Sequence, residues 1–314
     1  MNVLVTGGAG FLGSHLVQRL QASGLDPFVA RRDECDLTVA GEASRLFREA
    51  QPELVFHLAA EVGGIGANQA NPGRYWYANL LMGAHVLEQS RLARVRKLVL
   101  VGTVCSYPKH TPVPFREDEL WNGYPEETNA PYGVAKRALI VGAEAYRRQY
   151  GLNAVALLPA NLYGPGDDFD PETSHVVPAL IRKMVEAKEQ GLGEVVLWGD
   201  GGATREFLYV EDCVSALLLA AERYDGPAPL NVGTGEEISI RELALLVAEA
   251  TGYDGGLRWD ASRPNGQPRR RLDVSRAERL LGFRARTPLR EGLSRAVDWY
   301  LASSGGLLAR AGAL

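Results

Sequence analysis

Four side chains in this sequence have types and spacings suited to chemistry: Cys105, Tyr132, Lys136 and His175. Tyr132 and Lys136 stand four residues apart in a helical pattern, so they share one helix face. An ammonium beside a phenol lowers its pKa, and a buried phenol needs such help to give or take a proton. Cys105 follows the apolar run Leu98 to Val101 and the segment Gly102-Thr103-Val104, which places a thiol just past the end of a strand, where it can be a second acid/base group. His175 opens a helical pattern after the polar, turn-rich residues 167–174, so its imidazole can face a cleft. His15, His57 and His85 fall inside regular elements and read as internal polar anchors. Taken alone, Tyr132, Lys136 and Cys105 fit equally an ordinary amphipathic helix and a buried thiol, whereas the position of His175 favours the cleft over a surface or capping histidine, so the surrounding elements decide.

Those elements alternate between strand and helix. A β-branched run over 2–6 leads into Gly7-Gly8-Ala9-Gly10-Phe11-Leu12-Gly13 and then a helical pattern over 14–23. Glycines at 7, 10 and 13 provide a tight turn, a backbone able to touch a pyrophosphate, and a helix N-terminus aimed at the anion. The strand over 27–30 is followed by Arg31 and Arg32, where a cofactor without a ribose phosphate meets an acidic residue; that exchange points to NADP, although Asp33 and Glu34 follow and can reach a ribose hydroxyl. Near-continuous apolar runs at 54–60, 98–101 and 154–158 are the pattern of a parallel sheet, with helices expected over 41–50, 74–91 and from Pro131 onward. The fold class is therefore α/β, a Rossmann-type doubly wound parallel sheet with helices on both faces. The glycine-rich loop 61–68 follows a strand's C-terminal end and is placed to cover a substrate, and the Pro-rich loop 107–130 is long enough to be functional.

Past Pro159-Ala160-Asn161-Leu162 the composition changes. A helix over 175–187 begins beside a Ser174 cap, a strand over 195–198 ends in Trp198, and Arg205 precedes an apolar helix. An indole stacks on a base and a guanidinium takes a phosphate bidentately, so Trp198 and Arg205 suit a nucleotide diphosphate. Residues 263–271 form a basic, Pro/Gly-interrupted loop able to cover phosphates. Residues 1–160, with 203–226 returning to them, are expected to form the dinucleotide-binding domain. Residues 161–202 and 227–314 are expected to form a smaller α/β substrate domain.

The net charge is −4 with both signs scattered along 314 residues, which argues against a nucleic-acid or membrane surface. Three cysteines without CxxC spacing supply neither a disulfide framework nor a zinc site, which suits a reducing compartment; no apolar run is long enough to span a bilayer. A cytoplasmic location is the expectation.

Taken together, Gly7-x-x-Gly10-x-x-Gly13, Tyr132-x-x-x-Lys136, Asn161-Leu162-Tyr163-Gly164-Pro165-Gly166 and Arg205-Glu206-Phe207 resemble the extended short-chain dehydrogenase/reductases that modify nucleotide sugars. Val62-Gly63-Gly64-Ile65, Cys105-Ser106-Tyr107-Pro108-Lys109, residues 174–180, Trp198-Gly199 and Asn231-Val232-Gly233-Thr234-Gly235 are similar to the GDP-L-fucose synthase family within that group, which both epimerises and reduces a GDP-4-keto-6-deoxy sugar. The resemblance covers nearly the whole chain. It implies Tyr132 and Lys136 as the reductase pair, Cys105 and His175 as epimerising base and acid, and Thr103 as the hydroxyl beside the carbonyl. It also implies NADP(H) as the cofactor, held by the glycine turn, Arg31, Arg32, Val101, Gly102, Thr103, Tyr132, Lys136, Pro159, Ala160, Asn161, Leu162 and His175. Asn161, Lys183, Trp198, Arg205 and Asn265 would line the GDP-sugar site. The chain departs from the family pattern in having Thr103 for serine, Lys183 for arginine, Asn265 for an acidic residue and Ala9 where some members place arginine. A homodimer through a four-helix bundle from the helices near 75–91 and 131–150 is implied as well. The alternatives are a related enzyme for another GDP-keto sugar and an inactive cofactor-sensing regulator, against which intact Tyr132 and Lys136 argue.

Overall fold

The computed structural model describes residues 1–263 and 266–311. In chain order the first part runs β1 (Val3–Thr6), α1 (Phe11–Ala22), β2 (Phe28–Ala30), α2 (Ala40–Ala50), β3 (Leu54–His57), α3 (Ile65–Ala70), α4 (Pro72–Leu92), β4 (Lys97–Val101), α5 (Ala130–Tyr150) and β5 (Ala154–Pro159). The second runs β6 (Asn161–Tyr163), α6 (Val176–Glu189), β7 (Glu194–Trp198), β8 (Thr204–Arg205), β9 (Phe207–Tyr209), α7 (Val210–Arg223), β10 (Leu230–Val232), β11 (Ile238–Ser239), α8 (Ile240–Thr251), β12 (Gly256–Asp260), β13 (Arg269–Arg270), α9 (Ser275–Leu281) and α10 (Leu289–Ala311).

Six strands form one parallel sheet in the order β10-β5-β4-β3-β1-β2. Leu4, Val5, Val55, Phe56, Leu98 and Val99 are almost fully buried within it, each worth about 1.5–3 kcal/mol of transfer free energy. The order reverses between β1 and β3. At such a switch point a crevice opens beyond the strands' C-terminal ends. The second core gathers α6, α8 and α10 over Tyr163, Leu197 and Phe207. It is served by the short pairings β12 with β7, β6 with β9, and β8 with β11 and β13.

Two expectations are corrected. Residues 65–70 form α3 although glycine and asparagine suggested a loop; Asn68 Nδ2 supports its start by donating to the Gly63 and Gly64 carbonyls at 2.6 and 3.0 Å. The expected domain boundary also shifts. Chain order places residues 227–314 wholly in the smaller domain, yet β10 pairs with β5 in the main sheet, and Leu230, Val232, Ala277, Leu281 and Phe283 pack in its core. Apolar burial at those positions outweighs proximity in sequence.

Candidate functional site

The glycine turn is built as its chemistry requires. Gly7 has φ +72°, and a Cβ there would stand 2.7 Å from the Ala59 nitrogen; one on Gly13 would stand 2.0 Å from the Gly7 carbonyl. Only glycine lets α1 approach β1 this closely. Gly10 is the N-cap of α1 and supplies no side-chain acceptor, so the first-turn amides stay available to an anion. This cradle fits the diphosphate of a dinucleotide.

From that turn a cavity of about 740 Å³ extends across the strand ends to the second core. Gly7, Gly10, Phe11, Leu12 and Gly13 line it from the main-sheet side, and Lys183, Trp198 and Arg205 from α6, β7 and β8. Val101, Gly102, Thr103, Cys105, Tyr132, Lys136, Pro159, Ala160, Asn161, Leu162 and His175 lie along it. Gly8, Ala9 and Arg31 do not line it: Gly8 packs on Val29, and Ala9 and Arg31 are exposed. Asn265 lies outside the described residues. Arg32 does border the cavity, held by Glu61 at 2.5 Å, while Glu61 also accepts from Arg74 at 2.6 Å.

Local folding fixes the chemical residues. Thr103 Oγ1 accepts from the Cys105 amide at 3.1 Å, closing a 3₁₀ turn over Val104–Ser106. A Cβ on Gly133 would meet the Cys105 carbonyl at 2.4 Å, so glycine next to Tyr132 lets α5 dock on that turn. Arg137 secures the join by donating from Nε to the Ser106 carbonyl at 3.1 Å. Lys136 Nζ donates to the Val101 carbonyl at 3.1 Å and stands 5.9 Å from the Tyr132 ring centroid. His175 caps α6 by position only. The expected Ser174 cap is not made, and the segment is held instead by Gly64 N–H donating to the Thr173 carbonyl at 3.0 Å.

The electrostatics revise one expectation. Burial raises the Tyr132 phenol above its ordinary value, neighbouring Cys105 adds to this, and the opposing pull comes from the Thr103 hydroxyl, not from Lys136. Burial lowers Lys136 itself to about 8. Its cation is disfavoured in the fold, so stability is penalised fully below pH 8 and recovers as pH rises toward 10.5. We expect Lys136→Met to gain about 3 kcal/mol at pH 7 and to lose that advantage by pH 10.5, as read from urea midpoints. His175 is reached by water from the cavity, yet the surrounding protein holds its imidazole below the usual value against the pull of Asp168. Trp198 is 54% exposed, with Lys183 Nζ 5.9 Å and Arg263 Cζ 5.1 Å from its ring centroid.

His15, His57 and His85 are anchors, as expected. His57 Nδ1 meets Thr6 Oγ1 at 2.8 Å, and His85 Nδ1 meets the Leu37 carbonyl at 2.8 Å. His15 joins Glu211 at 2.6 Å and the Pro165 carbonyl at 2.8 Å.

Three site residues were not singled out in the sequence. Arg270, within the basic loop, lies beside Arg205 because β13 and β8 pair in that register. Asp167 lines the cavity with a buried carboxyl, raised by that burial to about 7, whose Oδ2 has no partner. Glu206 is buried behind Arg205, its carboxylate accepting from Leu272, Thr234 and Gly235 amides at 2.6, 2.6 and 2.9 Å. Glu206→Ala would orphan all three donors, and we expect it to cost about 3 kcal/mol or more in urea unfolding. Burial, then the Arg270 charge, pulls the Arg205 guanidinium down to about 9 against the opposing pulls of Cys105 and Glu126.

A glycine turn at a sheet's switch point, a Tyr-Lys pair and a cleft between two cores define a dinucleotide-dependent enzyme of the epimerase and oxidoreductase class. The chain belongs to the NAD dependent epimerase/dehydratase family, whose model matches residues 3–233. It is 42% identical over 300 residues to GDP-L-fucose synthase 1 of Arabidopsis thaliana, covering 95% of this chain and 93% of that one. Among solved structures it is similar to a GDP-6-OMe-4-keto-L-xylo-heptose reductase from C. jejuni, with TM-score 0.90, 30% identity and 96% and 97% of the two chains covered. A GDP-L-fucose synthetase from Naegleria fowleri bound to NADP superposes with TM-score 0.88 at 26% identity, over 96% and 94%. Among the described residues no helix is long and apolar enough to cross a membrane, and no cluster of metal-ligating side chains occurs.

Proposed function

We propose that this GDP-sugar epimerase/reductase converts GDP-4-keto-6-deoxy-D-mannose to GDP-L-fucose, using NADP(H). The observation that carries this reading is that Cys105, from the main sheet, and His175, from the second core, border one cavity with Tyr132 and Lys136. A C4 ketone acidifies the C–H bonds at C3 and C5, so a base and an acid on opposite faces invert both centres through an enolate. Cys105 removes each proton and His175 returns one from the other face. Thr103 donates a hydrogen bond to the developing oxyanion. Tyr132 then gives its proton to the C4 oxygen, with Lys136 beside it to restore the charge balance. NADPH, when bound, supplies the hydride for C4. Asn161, Lys183, Trp198 and Arg205 hold the nucleotide diphosphate, and Arg32 meets the cofactor's ribose phosphate.

A second reading, favoured by the likeness to the heptose reductase, keeps the same residues and changes the sugar. Incubation with GDP-4-keto-6-deoxy-mannose and either NADPH or NADH, with the product identified by NMR, separates the two. GDP-L-fucose formed with NADPH supports the first, and an unchanged keto sugar overturns it. We also propose that α4 and α5, which pack together and expose Trp76, Tyr77 and Val141, form a homodimer interface in the cytoplasm, which light scattering of the full chain reads.

A further inference from the structure

β13 brings a buried cation to the Cys105 sulfur. Arg270 is only 8% exposed, and its Nη1 lies 3.5 Å from Cys105 Sγ. The rest of the guanidinium is clamped: Nε and Nη2 donate to Gln267 Oε1 at 3.2 and 3.0 Å. Gln267 Nε2 in turn donates to the Lys109 carbonyl at 2.8 Å, on the segment that begins with Cys105. The carboxamide is thus anchored to the backbone that carries the thiol, and it sets where the guanidinium points.

None of these hydrogen-bond partners is an anion while the sulfur is protonated. The ionisable groups around the sulfur and its guanidiniums are Tyr75 on α4, Tyr132 on α5, Arg205 on β8, Arg270 on β13 and the buried Glu126 of the loop before α5, whose charge bears on Arg205. Two are phenols, two are cations brought side by side by the register of β8 and β13, and the Glu126 carboxyl is taken up by hydrogen bonds from Thr128 and Asn129. A buried guanidinium whose hydrogen-bond partners are all neutral is costly, and loss of the thiol proton to water in the cavity provides a hydrogen-bonded counter-ion.

We propose that Arg270 is a positioning residue that holds Cys105 as a thiolate before substrate arrives, with Gln267 fixing the guanidinium against the sulfur. Its catalytic relevance rests on Cys105 being the C3/C5 base, as proposed above, whereas the ion pair itself does not. The base then depends on a residue of β13, from the opposite side of the cleft.

The test is iodoacetamide alkylation of the full chain without substrate, resolved by peptide mass so that Cys35 and Cys213 are counted separately. Thiolate reacts and thiol does not. Arg270→Met is expected to slow Cys105 alkylation about tenfold at pH 6.5 and to leave it unchanged at pH 9.5. Arg270→Lys restores most of the rate at pH 6.5, and Gln267→Leu gives an intermediate loss. A packing role would change both pH values alike. Equal rates at pH 6.5 in the original chain, Arg270→Met and Gln267→Leu overturn the ion pair; if Arg270→Met does not fold, Gln267→Leu decides. Solvent-deuterium exchange into the keto sugar that persists in Cys105→Ser would instead remove the base assignment, leaving the alkylation result to stand on its own.

Discussion

In Cys105→Ser, incorporation of solvent deuterium at C3 and C5 of the keto sugar is expected to fall by about 10²–10⁴-fold, the range for loss of a positioned general base. The substitution keeps the geometry. Thr103 Oγ1 still accepts from the backbone amide of residue 105, and the docking of α5 on that turn depends on Gly133, not on the sulfur. What changes is acidity: a hydroxyl does not ionise near neutral pH, and the Arg270 guanidinium then faces a neutral oxygen. NADPH affinity is expected to stay within about twofold, because the glycine turn that cradles the diphosphate is built by β1 and α1 and makes no contact through residue 105. Exchange is read by mass spectrometry of the recovered sugar nucleotide. Exchange at the original rate would remove Cys105 from the base role.

Tyr132→Phe is expected to separate the two reactions. The epimerised keto sugar still forms, since Cys105 and His175 are untouched, but NADPH oxidation falls by about 10²–10⁴-fold because no group delivers a proton to the C4 oxygen. The variant should fold well. Tyr132 is 6% exposed, and phenylalanine fills the same space without a buried hydroxyl to satisfy. Consumption of NADPH at the normal rate, followed at 340 nm, would place the proton donor elsewhere. The two variants therefore fail at different steps, which a general loss of folding cannot imitate.

The main sheet was legible because its strands are buried on both faces and read as apolar runs, and the turn after β1 was legible because three glycines answer three steric demands. Cys105, Tyr132, Lys136 and His175 were legible as chemical types, and the structure brings them to one cavity. What the sequence hid depends on pairing across distance. Arg270 sits in a Pro/Gly-interrupted basic loop, and only its register against Arg205 and its reach to Cys105 give it a place. Glu206 appears in the motif beside Arg205, yet its work is to accept three backbone amides from two other segments. The influence of Lys136 on Tyr132 was expected from spacing alone. Burial of both groups outweighs it, raising the phenol and lowering the ammonium. β10 was placed in the wrong domain because chain order suggested the smaller one, whereas pairing with β5 decides.

The most direct test of the account is a reaction of the full chain with GDP-4-keto-6-deoxy-mannose and NADPH in deuterium oxide, followed by NMR of the product. The account predicts a reduced sugar of the L-galacto configuration with deuterium at C3 and C5 and protium at C4. A reduced product that keeps the D-configuration and carries no deuterium at C3 or C5 would contradict it, leaving Cys105 and His175 without the reaction assigned to them.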